Sequence, residues 1–147
     1  MEDDGLIQSS SNAALNNKFF RFAFKVARDH ISEEKLVSYH CALVVRGGAI
    51  LAFGTNKNKR HSLVKIHKYY DHCGIHSELA ACMKALKTYG DISGCSVYVL
   101  RILKDGKTIE LSKPCEHCTG VLKSYGINKV YYTTSDGGFI RARAKEL

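Results

Sequence analysis

The first regular feature of the chain is a set of apolar residues spaced three and four apart between positions 17 and 31. The repeating positions are Phe19, Phe22, Ala23, Val26, Ala27 and His30. This spacing places the side chains on one face of a helix. The sequence therefore predicts an amphipathic helix over 17–31, with this face in the core.

Two short β-prone runs follow, at 39–45 and 49–53. Between them stand Arg46, Gly47 and Gly48. Glycine readily adopts the positive φ angles that a tight reversal requires. The two runs are therefore predicted to form a β-hairpin.

The rest of the chain alternates between helical and strand patterns. Apolar positions at helical spacing predict helices over 77–89 and 115–125. Runs rich in β-branched and aromatic residues predict strands over 95–102 and 128–134. This order favours an α/β fold, in which helices cover a mixed sheet of four to five strands in a three-layer α/β/α sandwich.

The segment after residue 134 sets the direction of the last strand. A parallel crossover needs a dozen or more residues and then a further strand. The residues that remain are too few for both. We therefore expect the last strand, near Phe139, to return antiparallel through the turn at Asp136 and Gly137.

Residues 1–16 differ in composition from the rest of the chain. They carry Glu2, Asp3 and Asp4 and no lysine or arginine. We expect a flexible tail over 1–16 and one domain over 17–147. The chain has no apolar run of about 18 residues, as a membrane span requires. The acidic amino terminus is unlike a signal peptide, so we expect an intracellular, cytoplasmic location and no membrane partner.

The charge balance brings phosphorylated partners into consideration. The whole chain carries +8, and residues 17–147 carry +11 because the tail holds three acids. Residues 55–70 include five Lys or Arg, two His and no acid, and end at Tyr69 and Tyr70. This segment is either a solvated loop or a groove wall for phosphates, where the tyrosines could stack on bases.

Two short clusters carry the candidate chemistry, and each stands where a predicted helix begins. The first is His76-Ser77-Glu78, and the second is Pro114-Cys115-Glu116-His117-Cys118. Residues three apart in a first helical turn share a face, so both sulfurs of the second cluster point the same way. Three nitrogen and sulfur ligands hold zinc and leave a fourth position for water, as in catalytic zinc sites. We therefore predict one catalytic zinc ion, bound by His76, Cys115 and Cys118.

Glu78 gives this zinc site a reaction. A carboxylate two residues from a metal-bound histidine can take a proton from the water and pass it to a ring nitrogen and then to the leaving amine. Attack of the zinc-bound hydroxide at C4 of cytosine or C6 of adenine would release ammonia. The clusters thus predict a hydrolytic nucleobase deaminase with Glu78 as its proton shuttle.

H-x-E followed by P-C-x-x-C is the signature of zinc deaminases. With these motifs the chain resembles the cytidine and deoxycytidylate deaminase superfamily from about Lys18 to Ile140. The resemblance implies a cytidine-deaminase-like sandwich and a homo-oligomer. It also implies that Asn56 binds substrate, although Asn58 lies close by. The site residues it implies are His76, Cys115 and Cys118 for zinc, Glu78 for catalysis and Asn56 for substrate.

The branches of this superfamily leave the substrate open. In having histidine as its first zinc ligand, the chain resembles the deoxycytidylate, tRNA adenosine and polynucleotide cytidine deaminases. In its short antiparallel ending, it resembles the nucleoside branch. Our first hypothesis is conversion of cytosine to uracil in a free cytidine or deoxycytidine nucleotide or nucleoside. The alternative is a deaminase that acts on a base within RNA or single-stranded DNA.

The same residues also fit a non-catalytic hypothesis. Cys73, His76, Cys115 and Cys118 would form a closed structural zinc site without a water position. His72 and Cys73 are candidates for a second, structural zinc ion. The cysteines outside these motifs lie in apolar contexts and are predicted to be core residues. They are Cys41, Cys82 and Cys95.

Overall fold

The computed structural model describes residues 6–8, 13–57 and 76–147. The helices are α1 (Lys18–His30), α2 (Ser77–Tyr89) and α3 (Glu116–Ser124). The strands are β1 (Leu6–Gln8), β2 (Ser38–Arg46), β3 (Ala49–Thr55), β4 (Ser96–Leu103), β5 (Ile109–Glu110), β6 (Lys129–Thr133) and β7 (Phe139–Arg143). Within these ranges, no helix has the length and apolarity needed to cross a bilayer.

Helix α1 begins at a side-chain cap. The Asn17 side chain accepts hydrogen bonds from the backbone N–H groups of Phe19 (2.8 Å) and Phe20 (3.2 Å), which would otherwise lack partners. The buried residues are Phe20, Ala23, Ala27 and His30. The predicted helix is confirmed, but the placement of Phe22 in the core was wrong. Phe22 lies beside the buried stripe, is 37% exposed and contacts the ring of Phe53.

The strands form one mixed sheet in the order β1-β7-β6-β4-β2-β3, with β5 beside β4. Strands β4 and β6 are parallel, and the other pairs are antiparallel. The predicted antiparallel return of the last strand is confirmed, because β7 pairs antiparallel with β6. The predicted count of four to five strands was too low. Strands β1 and β5 have only three and two residues, too few to show an alternating pattern.

The predicted hairpin is confirmed between β2 and β3. Its turn residues Gly47 and Gly48 have φ angles of 58° and 80°. Positive φ at both central positions is the requirement of a two-residue turn whose twist matches that of the strands.

The sheet separates two hydrophobic cores, because neighbouring side chains of a strand point to opposite faces. On one face, Leu43 packs in a cluster with Phe20 of α1. On the other face, Val44 packs in a cluster with Ala81 of α2 and Leu122 of α3. Helices therefore cover both faces, and the predicted three-layer α/β/α sandwich is confirmed.

Part of the predicted tail is packed against this domain. Strand β1 pairs with β7, and residues Ala13–Asn16 form a 3-10 helix. Ala14 is fully buried, and its N–H donates to the carbonyl of Gly137 at 3.1 Å. Backbone hydrogen bonds and a buried methyl group supply these contacts. The division into a tail over 1–16 and a domain over 17–147 stays a prediction.

Strand β3 and helix α2 approach each other closely at Gly54. A Cβ atom at this position would lie 2.6 Å from the backbone nitrogen of Ala81 and 2.7 Å from the Cβ of Ala80. Only glycine allows this approach without a shift of the helix. The contact fixes the start of α2 relative to the end of β3, and both carry residues of the candidate site.

Candidate active site

The structure brings the three predicted metal ligands together at two helix starts. His76 is the N-cap residue of α2, Cys115 is the N-cap residue of α3, and Cys118 lies in the first turn of α3. The Nδ1 atom of His76 lies 3.7 Å from the Sγ of Cys115 and 3.3 Å from the Sγ of Cys118. The three ligand atoms all lie within 4.8 Å of one another.

These separations fit one tetrahedral zinc ion. Zinc–sulfur bonds of about 2.3 Å and zinc–nitrogen bonds of about 2.0 Å at a tetrahedral angle place nitrogen and sulfur about 3.5 Å apart. The observed values of 3.3 Å and 3.7 Å lie on either side of this distance. The donor set of one imidazole and two thiols is also one that zinc prefers.

The local environment of Cys115 favours thiolate, the form that binds metal. Hydrogen bonds from Cys118 and His76 lower the pKa of the Cys115 thiol to about 3. One of these contacts joins the Cys115 sulfur to the backbone N–H of Cys118 at 3.5 Å, as expected of an N-cap residue. The hydrogen bond to Cys115 in turn raises the pKa of His76. Cys115 and His76 thus each favour the charged form of the other, and a bound metal would displace the proton that they share.

Glu78 lies in the first turn of α2, and its side chain is turned inward. The residue is only 5% exposed. The Ser77 hydroxyl donates to its Oε1 at 3.0 Å. Burial raises the pKa of the Glu78 carboxyl above its usual range. A carboxyl group at this position can accept a proton and return it, as a proton shuttle must.

Asn56 follows the end of β3, and its side chain is held by the neighbouring strand β2. Its Oδ1 accepts from the backbone N–H of His40 at 2.8 Å, and its Nδ2 donates to the carbonyl of Ser38 at 3.0 Å. Its own carbonyl oxygen lies 3.0 Å from the Nε2 of His30. An amide has one further donor and one further acceptor position, so Asn56 can still bind a ligand from this fixed orientation.

One pocket of about 360 Å³ joins these residues. Its lining includes His76, Cys115, Glu78 and Asn56. Four of the five predicted site residues therefore face one space, and the fifth, Cys118, is buried behind it. A volume in this range is typical of small-molecule sites.

The same pocket is lined by residues that the sequence reasoning missed. Ser38, His40 and Ser112 contribute polar groups to its wall. The run 39–45 was interpreted only as a strand, although His40 is a polar residue within an otherwise apolar stretch. That interruption was the available signal.

Ser112 fixes the segment that leads to Cys115. Its hydroxyl donates to the carbonyl of Val99 at 2.7 Å and accepts from the backbone N–H of Thr133 at 2.7 Å. Both partners lie on the parallel strands β4 and β6. The loop before α3 is thereby attached to the centre of the sheet.

Several predictions concern residues 58–75, which lie outside the described ranges. They are the structural role of Cys73, the second zinc at His72 and Cys73, the alternative Asn58, and most of the basic segment with Tyr69 and Tyr70. Among the described residues, the core placement of three cysteines is confirmed. Cys41, Cys82 and Cys95 are each at most 1% exposed.

Comparison with solved structures finds similar folds. A structure of tRNA deaminases that perform A-to-I editing at the wobble position of transfer RNA aligns with a TM-score of 0.52 and 20% identity, over 79% of this chain and 74% of that chain. Apo dCMP deaminase from cyanophage S-TIM5 aligns with a TM-score of 0.49 and 22% identity, over 78% and 81%. Cytidine deaminase from Mycobacterium leprae aligns with a TM-score of 0.48 and 16% identity, over 83% and 92%.

No curated protein matches the chain. A sequence model of the cytidine and deoxycytidylate deaminase zinc-binding region matches residues 14–134. This match covers most of the chain, including both clusters and Asn56. The chain therefore belongs to the cytidine and deoxycytidylate deaminase family, and it carries that family's zinc-binding region.

Proposed function

We propose that the chain is a zinc-dependent hydrolytic deaminase that converts cytosine to uracil in a free cytidine or deoxycytidine nucleotide or nucleoside. The observation that carries this proposal is the shared pocket, where His76 and Cys115 meet the buried carboxyl group of Glu78. A metal-binding group and a separate carboxyl group in one accessible pocket suit hydrolysis. A closed structural zinc site needs neither the pocket nor the carboxyl group.

His76, Cys115 and Cys118 are the proposed ligands of one zinc ion. When bound, zinc supplies a nucleophile at neutral pH, because it lowers the pKa of water to about 7. The anchoring of both helix starts to the sheet keeps the ligands at the required separation. Since three protein atoms fill three tetrahedral positions, one position remains for solvent.

Glu78 is the proposed proton shuttle. Its carboxylate takes a proton from the attacking water and delivers it to the ring nitrogen of the base. It then takes the proton of the hydroxyl group that the water has left on the ring carbon and transfers it to the amino group, which leaves as ammonia while the ring carbon becomes a carbonyl. The hydrogen bond from Ser77 orients the carboxyl group, and burial keeps its pKa raised, so that both transfers are accessible.

Asn56 is the proposed contact to the sugar. Its amide is held in one orientation by His40 and Ser38 and retains one donor and one acceptor position. A sugar hydroxyl both donates and accepts, and therefore matches this pair. The chain belongs to the cytidine and deoxycytidylate deaminase family, and this membership supports cytosine as the base.

A base within RNA or single-stranded DNA is the second candidate substrate. It is favoured by the charge of +11 over residues 17–147 and by Lys57 and Lys113, which are exposed on the pocket wall. Binding of a polynucleotide should weaken steeply from low to physiological salt. If the protein binds oligonucleotides weakly and salt does not change this binding, the free nucleotide is supported as the substrate instead.

The test of the proposed function is a substrate panel. Purified protein would be incubated with cytidine, CMP, dCMP, dCTP, adenosine, single-stranded DNA and tRNA, and ammonia release and product mass would be measured. We expect deamination of at least one free cytosine compound. If zinc-loaded protein deaminates none of the four free cytosine compounds, the proposal is contradicted.

The metal content of the same preparation separates the catalytic from the structural hypothesis. We expect one zinc ion per chain with three protein ligands and one oxygen ligand in X-ray absorption spectra. Four protein ligands would support the closed site that includes Cys73. Two zinc ions per chain would support the additional site at His72 and Cys73.

A further inference from the structure

His40, near the start of strand β2, lines the proposed substrate pocket. It belongs to β2, next to Asn56 and on the same pocket wall as His76 and Glu78. Neither the family motif nor the proposed zinc chemistry gives it a role. It is therefore a polar group in a position to contact whatever occupies the pocket.

One ring nitrogen of His40 is engaged by its neighbours. Its Nε2 lies 3.4 Å from the Ser38 hydroxyl oxygen, which also accepts from the Nε of Arg101 at 3.2 Å. Arg101 is held in turn by the carbonyl of Leu111 at 3.4 Å. Because the Ser38 oxygen already accepts from a guanidinium, its own proton is available to Nε2 of His40.

The other ring nitrogen, Nδ1, takes no part in these contacts. Within residues 13–57 and 76–147, no hydrogen bond to the Nδ1 of His40 is present. If Nε2 accepts from Ser38, then a neutral ring carries its proton on Nδ1. Burial and the charge of Arg101 keep the ring neutral, because they lower the pKa of His40 to about 4.

We infer that His40 is a specificity-determining residue, whose Nδ1–H donates a hydrogen bond to a neutral acceptor atom of the substrate nucleoside. This inference rests on the proposed deaminase function. The base carbonyl oxygen and the hydroxyl oxygens of the sugar have the required chemistry. A neutral donor suits any of them and does not select for a phosphate.

Two substitutions separate the hydrogen bond from the packing of the ring. His40→Leu removes both ring nitrogens, whereas His40→Asn keeps an N–H close to the position of Nδ1. Both variants retain the backbone N–H that Asn56 accepts. Zinc content and melting temperature would be measured first, and kcat and KM would then be measured with CMP and dCMP.

With CMP, we expect His40→Leu to lower kcat/KM about tenfold, mainly through KM, as the loss of one neutral hydrogen bond predicts. His40→Asn should regain most of that loss. No loss with dCMP would identify the 2′-oxygen as the acceptor, and an equal loss with dCMP would place the acceptor on a part of the nucleoside that CMP and dCMP share. Wild-type kinetics in His40→Leu, or no recovery in His40→Asn, would overturn the inference.

A measurement on the unmodified protein covers the case in which the variants do not fold. NMR of nitrogen-labelled histidine reports which ring nitrogen carries the proton, and His40 should be protonated at Nδ1 with a resonance that shifts when UMP is added. Protonation at Nε2, or no shift at saturating UMP, would overturn the inference. Inactivity of the wild-type protein on cytidine, CMP, dCMP and dCTP would contradict the proposed function itself.

Discussion

At the scale of single residues, the site depends on a thiol that is ionised before metal arrives. The hydrogen bonds to Cys115 lower its pKa to about 3. An ordinary cysteine has a pKa of about 8.5 and is mostly protonated at neutral pH. Because alkylating reagents attack the thiolate, Cys115 should react at pH values where ordinary cysteines do not.

We therefore predict that iodoacetamide labels Cys115 rapidly at about pH 6 once zinc has been removed with a chelator. Added zinc should block the reaction by occupying the sulfur. Cys41 is the internal control, because it is fully buried and burial raises its pKa to about 12. Peptide mass spectrometry would assign the labelled residues. Labelling of Cys115 that is as slow as that of Cys41, or that zinc leaves unchanged, would contradict the assignment.

The sequence was informative about residues that lie close together in a motif. Cys115 and Cys118 are brought together by a single helical turn, so their spacing already predicted their proximity. His76 and Glu78 are close because only one residue separates them in the chain. His40 lines the pocket because strand β2 forms part of its wall, and no local sequence pattern specifies which strand does so. The prediction for Asn56 came from the family resemblance, and its anchoring to β2 could be learned only from the structure.

At the scale of secondary-structure elements, the contact between β3 and α2 should tolerate no side chain. We predict that Gly54→Ala destabilises the protein by about 1–3 kcal/mol, because the new methyl group overlaps the backbone of α2. The displaced helix start should also weaken zinc binding. Thermal unfolding and zinc titration would measure the two effects.

The matched control for this substitution is Gly120→Ala. Gly120 lies within α3, and a Cβ atom there would meet nothing within 4 Å. Alanine is favoured over glycine inside a helix by about 0.5–1 kcal/mol, so this variant should be as stable as the wild type or more stable. Equal stability losses in both variants would show that the close approach at Gly54 is not the cause.

The proposed metal also connects two elements, since its ligands lie at the starts of α2 and α3. We predict that His76→Ala and Cys115→Ala each reduce zinc content to near zero and lower the melting temperature, because binding energy that stabilises the folded state is lost. Elemental analysis and calorimetry would check this. Zinc content that survives either substitution would refute the ligand assignment.

The elements themselves were predicted best where they are long. Helices α1, α2 and α3 each show a periodic pattern over nine or more residues, and strand β2 contains a long β-prone run. Strands β1 and β5 are stabilised by pairing with β7 and β4, and their short sequences carry no pattern of their own. The burial of Phe20 and exposure of Phe22 likewise depend on how α1 rotates onto the sheet.

At the scale of the whole molecule, the three-layer arrangement presents both helix starts at one end of the sheet. We also propose that the chain forms a homo-oligomer. Light scattering coupled to gel filtration should give a mass of at least twice 16.4 kDa. A monomer at the concentrations used for activity assays would contradict the proposed assembly and would leave the zinc site unaffected.

The most direct test of the central claim is a paired measurement of zinc content and turnover in Glu78→Gln. The substitution keeps the shape of the side chain but removes its capacity to move protons. We predict wild-type zinc content and a turnover lower by about 10³-fold or more. Glu116→Gln is the control, since it changes an exposed carboxylate beside the ligand Cys115 and should retain activity. Full turnover in Glu78→Gln with zinc in place would contradict the account.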